Sequence, residues 1–311
     1  MTYRVLNFAA LATASFCLFS CGPDKDMPIM AGNTRVAAQE GEKFYQKAKE
    51  ADDAGKPGTA IKLYDQTATR YPFAPSAAQA RYRQAQLLER QGEIVKSFEA
   101  YDNFLSHYQS SSLYTTALNR QVAMAQSAAD GDVKQSMLGL KTKLSLEKTV
   151  EMLGKVRDNA PKSAVASKTQ FTIGRLYEGK RKYKEAIAAY RQLVRDQPGS
   201  AEAPEALFRV GVILTADAQR GNQNQANLDL AREAFNDYLI QYPGHSRNAE
   251  ARKFIANVSG VDLQRSYDIA EFYQKTGKTE SAKVYYRDIM KRSKSGSLYD
   301  KARARLKELG E

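Results

Sequence analysis

Between Ser167 and Ser200 the chain carries two apolar stripes of helical period separated by a short polar turn. In the first stretch Phe171, Ile173, Gly174 and Tyr177 fall on or beside one face. In the second, Ala186, Ala189, Tyr190 and Leu193 recur at i, i+3, i+4 and i+7, the spacing of one side of an α-helix. Gly174 and Ala186 are small enough for two helix backbones to approach, and Tyr190 is large enough to fill the space that remains. A hairpin of this kind cannot bury its stripes alone, so it is expected to stack on copies of itself.

With Ala186 as the ruler, equivalent small or hydroxyl positions occur at Ala60, Ser97, Thr149, Ala231 and Ala282. The residue four further on is Tyr64, Tyr101, Leu153, Phe235 and Tyr286, as Tyr190 is in the reference hairpin. Pro72, Pro161, Pro198 and Pro243 follow four of these six stretches, where a helix must stop. The pattern predicts an all-α solenoid of about six helical hairpins plus a C-terminal capping helix, LYDKARARLKEL, which starts near Ser297 and Asp300.

In chain order, the first hairpin runs from Glu40 to Tyr71 and breaks at Gly55 to Gly58. Ser76 and Gln79 have capping-box spacing and open the second, which breaks at Gly92. The third is longer than the rest. Its pattern is helical from Ser112 to Ala129, turns at Gly131-Asp132 and is read as helical again from Lys134. The fifth carries Val210-Gly211 and a polar insertion, Arg220 to Asn227, expected as a surface loop; the sixth spans Leu263 to Lys294. Residues 39–309 are expected to form one continuous solenoid.

These spacings resemble the tetratricopeptide repeat. That family's Leu-Gly, Tyr, Ala, aromatic and Pro positions are met here by Ile173-Gly174, Tyr177, Ala186, Tyr190 and Pro198.

The amino terminus has a different pattern. After Arg4 comes an apolar run from Val5 to Phe19, too short and interrupted for a comfortable membrane span, ending Leu18-Phe19-Ser20-Cys21. This resembles the bacterial lipoprotein box, which implies a signal peptide over residues 1–20 and acyl chains, palmitate among them, on Cys21. Residues 21–38, with Pro23, Pro28 and Gly32, are expected to be a flexible tether. Gly22 rather than Asp follows Cys21, so the resemblance implies a lipid anchor on the periplasmic face of the outer membrane.

Composition alters this picture in one respect. The chain of 311 residues has a formal net charge of +12, with 47 basic and 35 acidic residues interspersed. Basic clusters stand out at Lys180-Arg181-Lys182-Lys184, Lys291-Arg292-Lys294 and Lys301-Arg303-Arg305-Lys307, and would suit acidic protein surfaces or phospholipid headgroups. A periplasmic lipoprotein has no occasion to meet nucleic acid.

Candidate chemistry is sparse. The two histidines, His107 and His245, stand far apart in turns, and the only cysteine besides Cys21 is Cys17 within the leader. Neither a metal-ligand motif nor a P-loop nor a nucleophile elbow occurs. No catalytic residue, metal, cofactor or small-molecule substrate is therefore expected.

A narrower resemblance lies in Arg70-Tyr71-Pro72-Phe73-Ala74-Pro75-Ser76, which is similar to the RYPFGP turn of the BamD family, the lipoproteins of the outer-membrane β-barrel assembly machine. Residues 248–276 resemble that family's late helix pair, with Ser266, Ala270, Glu271 and Tyr273 at its S-x-AE-YY positions, and the fifth hairpin matches its long third repeat. The resemblance implies a scaffold that receives nascent outer-membrane proteins near Tyr71, Pro72, Phe73 and Pro75. Later repeats, with Glu271 and Tyr273, would dock a barrel-forming partner. Tyr71 and Phe73 have a plainer reading, as packing between the first two hairpins. Residues 111–200 exceed what that family needs. The alternative role is a scaffold for another envelope process, such as cell-wall, Tol-Pal-type or secretion machinery.

Overall fold

The computed structural model of the chain describes residues 34–137, 140–220 and 225–311. Cys21 and the expected leader and lipobox lie outside them. The described residues form two compact units, which divide between Gly92 and Glu93.

The first unit holds α1 (Thr34–Asp53), α2 (Pro57–Arg70) and α3 (Ala77–Arg90), each packed on the next. α1 starts at Thr34, inside the stretch expected to be tether. It ends where Gly55 takes a φ of 67°, and Pro57 opens α2 at a position where a missing N–H costs nothing. Ala48, Ala60, Tyr64, Ala68, Ala80 and Leu87 form the core of this unit. Buried Arg81 reaches from α3 to Asp65 Oδ1 (2.6 Å) and Thr69 Oγ1 (2.7 Å) of α2, so its charge is paired where it is desolvated.

The second unit contains α4 (Ile94–His107), α5 (Tyr114–Ala129), β1 (Lys134–Met137), β2 (Leu140–Lys143) and α6 (Leu146–Asn159). There follow α7 (Ala164–Gly179), α8 (Tyr183–Asp196), α9 (Ala203–Arg220), α10 (Gln225–Gln241), α11 (Asn248–Lys275), α12 (Thr279–Arg292) and α13 (Ser297–Glu308). Successive helices pack as hairpins, and α7 also touches α5 and α9, two places before and after it. The small-then-large couples hold throughout. Ala186, Ala231 and Ala282 are buried, as are Tyr190, Phe235 and Tyr286 four residues later. Leu193 of α8, Val210 and Ile213 of α9 and Ala231 of α10 share one cluster with Ala186 and Tyr190.

Four expectations are corrected. The stretch from Lys134 is an antiparallel β-hairpin, Lys134 pairing with Lys143 and Met137 with Leu140, and helix resumes only at Leu146. Lys141-Thr142-Lys143 offers no apolar helical stripe. Ser145 is the true N-cap there, its side chain accepting from Lys148 N (3.1 Å).

Ser76 does not cap α3 with its side chain. At φ −87°, ψ −2° it lies in the helical region, where the hydroxyl cannot reach forward, and its own N–H is given to Glu42 Oε1 of α1 (2.9 Å). The polar insertion is shorter than expected, for α9 extends to Arg220 and α10 starts at Gln225. Residues 248–276 form no helix pair but the single 28-residue α11. The stretch has no proline, and a Cβ added at Gly260 would meet nothing within 4 Å. That glycine costs α11 only about 1 kcal/mol of helix propensity and does not break it.

Candidate functional site

The turn after α2 divides its two aromatics. Tyr71 is 7% exposed and Phe73 is 70% exposed. Tyr71 N donates to Thr67 O (3.1 Å), Ala74 N to Tyr71 O (2.9 Å) and Ala77 N to Ala74 O (2.9 Å). With the Ser76–Glu42 bond, these leave the segment little freedom. The Tyr71 ring lies 5.4 Å from that of Phe44, and α1 approaches so closely that a Cβ on Gly41 would stand 2.7 Å from Tyr71 Cβ and 2.6 Å from Ala74 Cβ. Tyr71 is thus packed against α1 within the first unit, whereas Phe73 stands out into solvent beside half-buried Pro72 and exposed Pro75. Alternation of aromatic and proline does not reveal this division. It depends on Gly41, Glu42 and Phe44 of α1, which sequence reasoning does not single out.

Glu271 and Tyr273 belong to the other unit and lie together near the end of α11. Both are half-buried and hold the last three helices together. Glu271 pairs with Lys275 (3.6 Å) and with Arg305 of α13 (3.7 Å). Tyr273 stacks on Tyr285 of α12 at 5.7 Å between ring centres, with the Lys278 ammonium 5.8 Å from its face. Between them Phe272 is 61% exposed.

A repeating three-residue tie escapes the sequence reading as well. Tyr190 donates its hydroxyl to Glu178 (2.7 Å), 12 residues earlier, and Glu178 accepts from Arg209 of α9 (3.0 Å), 31 residues later. Tyr64, Asp52 and Arg83 repeat the arrangement at the same separations of 12 and 31, with contacts of 3.4 and 2.6 Å. Tyr286 donates to Gln274 (2.9 Å), again 12 residues earlier. Burial, and then the neighbouring carboxylate of Asp52, pushes the Tyr64 phenol up to about 12. Burial and the nearby ring of Tyr267 push that of Tyr286 up to about 12. Tyr190 is raised by burial and by its bond to Glu178. The signal is a Tyr with an acid or amide 12 residues before it and an Arg 19 after it, legible only once the hairpins are in register.

A cavity of about 500 Å³ opens between α7, the α7–α8 turn and α9. Arg175, Arg181 and Arg209 line it with Tyr183, Val212 and Ile213. The histidines serve turns: His107 Nδ1 lies 2.9 Å from Asn103 O, and His245 Nδ1 lies 2.5 Å from the Tyr238 hydroxyl. Among the described residues no group of three or more His, Cys, Asp or Glu side chains could hold a metal ion, and no helix is long and apolar enough to cross a membrane.

Comparison with known proteins bears on the architecture. The tetratricopeptide-repeat family is matched at residues 45–111 and 171–246, and again at 264–295. No curated protein matches the chain. Among solved structures, the chain is similar to MamA from Desulfovibrio magneticus RS-1, at 14% identity over 69% of this chain and 98% of that one, with a TM-score of 0.28. It is also similar to the P58(IPK) tetratricopeptide-repeat domain, at 16% identity over 86% of this chain and 68% of that one, with a TM-score of 0.36. A third is YrrB, described as having an unusual peptide-binding site, at 12% identity over 71% of this chain and 98% of that one, with a TM-score of 0.30. Repeats of this kind are protein-interaction scaffolds. Matched over more than half its length and built of hairpins with the small-then-large couples, the chain belongs to the tetratricopeptide-repeat family.

Proposed function

We propose that the chain is a scaffold lipoprotein of BamD type, anchored through Cys21 to the periplasmic face of the outer membrane. There it receives unfolded outer-membrane proteins and holds them beside a barrel-forming partner. The observation that supports this reading best is Phe73, exposed on a turn fixed by buried Tyr71 and by the Ser76–Glu42 bond. An aromatic displayed without backbone freedom loses little entropy on binding, as an anchor for a client segment requires. The late module supplies a second display point, Phe272, beside the packed pair Glu271 and Tyr273.

A second reading, a scaffold for another envelope process, is favoured by the middle of the chain. Helices α5 to α8, whose buried residues include Met124, Met152, Leu153 and Tyr190, are material beyond what β-barrel assembly needs. Replacing Phe73 with a photo-crosslinking phenylalanine in cells separates the two. Crosslinks to unfolded β-barrel proteins support the first reading, and crosslinks confined to cell-wall or secretion proteins favour the second.

A further inference from the structure

Helices α8 and α10 line the two sides of one cleft with unlike charges. Arg191 and Arg195 stand one turn apart on α8, and Glu233 and Asp237 stand one turn apart on α10. All four are exposed and border a cavity of about 520 Å³, whose apolar lining includes buried Leu207 of α9 and half-buried Val194. The two rows do not meet across it. Arg195 pairs with adjoining Asp196 (3.5 Å), and among the described residues Arg191, Glu233 and Asp237 enter no ion pair. Elsewhere on α10 the opposite holds, for Arg232 closes on Asp229 at 2.8 Å.

Apolar side chains flank the carboxylates. Leu230, Glu233, Asp237 and Ile240 follow one another at three, four and three residues, the spacing of one helix face. Leu230 is 38% exposed, and Ile240, at 76%, is the most exposed large apolar side chain among the described residues. A partner that satisfies this surface must carry an acidic row and a basic row side by side, with apolar groups beside them. An anionic bilayer or a segment of one charge sign supplies only half of that. The chain itself supplies both. A two-fold axis along the cleft lays α8 of each copy over α10 of the other, so the arginine and carboxylate rows meet twice and the apolar side chains are covered.

We infer that the α8–α10 face is a self-complementary interface through which two copies of this chain associate, Arg191 and Arg195 of each copy pairing with Glu233 and Asp237 of the other. The interface uses no residue of the Phe73 turn and does not depend on the outer-membrane reading.

The test is the mass of the full chain in detergent, measured by light scattering after size exclusion over a concentration series, with the micelle's contribution subtracted. The parent is expected to pass from one copy to two as concentration rises, and to dissociate as salt is added. Arg191→Glu/Arg195→Glu makes the face wholly acidic, and Glu233→Arg/Asp237→Arg makes it wholly basic. Each variant alone should dimerise at least about tenfold more weakly than the parent. Mixed in equal amounts, the two should associate as the parent does with itself, because each α8 again lies over an α10 of opposite charge. Their melting temperatures should stay within about 2 °C of the parent's, which separates a lost interface from a lost fold. A parent that stays single at every concentration overturns the proposal and leaves the face to a different protein. So do variants that dimerise alone as the parent does, as joining through acyl chains would, or folded variants that ignore each other when mixed.

Discussion

Tyr190 occupies the space that a side chain on residue 174 would need: a Cβ built on Gly174 overlaps the tyrosine ring edge. The ring cannot swing aside without breaking its bond to Glu178 (2.7 Å). Gly174→Ala therefore gains about 1 kcal/mol of helix propensity but incurs overpacking of about 1–3 kcal/mol. We expect a net loss, read as a lower urea midpoint with an unchanged slope. A variant as stable as the parent would show that α7 and α8 are less tightly apposed. Gly211, whose added Cβ would lie 2.7 Å from the Phe235 ring, should behave alike.

Such couples explain why the hairpins are legible in the amino-acid pattern alone. Close apposition of two helices demands a small residue in one and a ring in the other, and that demand returns at Ala48 of α1 and Tyr64 of α2 and at Ala270 of α11 and Tyr286 of α12. The elements that escape a pattern reading have other causes. The strands at Lys134–Met137 and Leu140–Lys143 are too short for a period to be distinguished from a degenerate helix. The unity of α11 reflects the absence of a break where a family resemblance suggests one. The split between Tyr71 and Phe73 is tertiary, set by what α1 lays against the turn.

Tyr71→Ala and Phe73→Ala should accordingly part company. Loss of the buried Tyr71 ring leaves a cavity beside Gly41 and Phe44, at a cost of about 3–5 kcal/mol. Phe73→Ala removes an exposed ring and should change stability by no more than about 0.5 kcal/mol. Thermal melts of the two variants decide the point. Equal destabilisation would remove Phe73 from consideration as a displayed anchor.

The tie through Glu178 predicts coupling. Glu178→Gln should cost about 1–3 kcal/mol, since Tyr190 and Arg209 both direct donors at the carboxylate. In a double-mutant cycle with Arg209→Gln, an interaction energy of about 0.5 kcal/mol or more is expected. Strict additivity would mean that the pair is merely adjacent.

The raised phenols give an alkaline signature. Tyr64 and Tyr286 hold their protons to about 12 in the folded chain, from an ordinary value of 10.0. The folded state thus binds more protons than the unfolded one between pH 10 and 12. Its stability is fully present below the lower value and falls as pH rises through the window. Phenylalanine does not titrate, so the stability advantage of the parent over Tyr286→Phe should shrink from about pH 9 to about pH 12. An advantage that stays constant over that range would contradict the shift.

Lipidation at Cys21 can be tested apart from all of this. The proposal assigns membrane attachment to acyl chains on that one thiol, and two or three chains hold a protein firmly where one does not. No described helix offers another route across a bilayer. Cys21→Ala should therefore move the protein from the membrane fraction to the soluble one and abolish incorporation of radiolabelled palmitate, without altering the melting temperature of the folded units. If the variant stays membrane-bound after high-salt washing, which strips attachment through basic clusters such as Lys291–Lys294 and Lys301–Lys307, the anchor is apolar and lies elsewhere, and the run from Val5 to Phe19 becomes the first place to search.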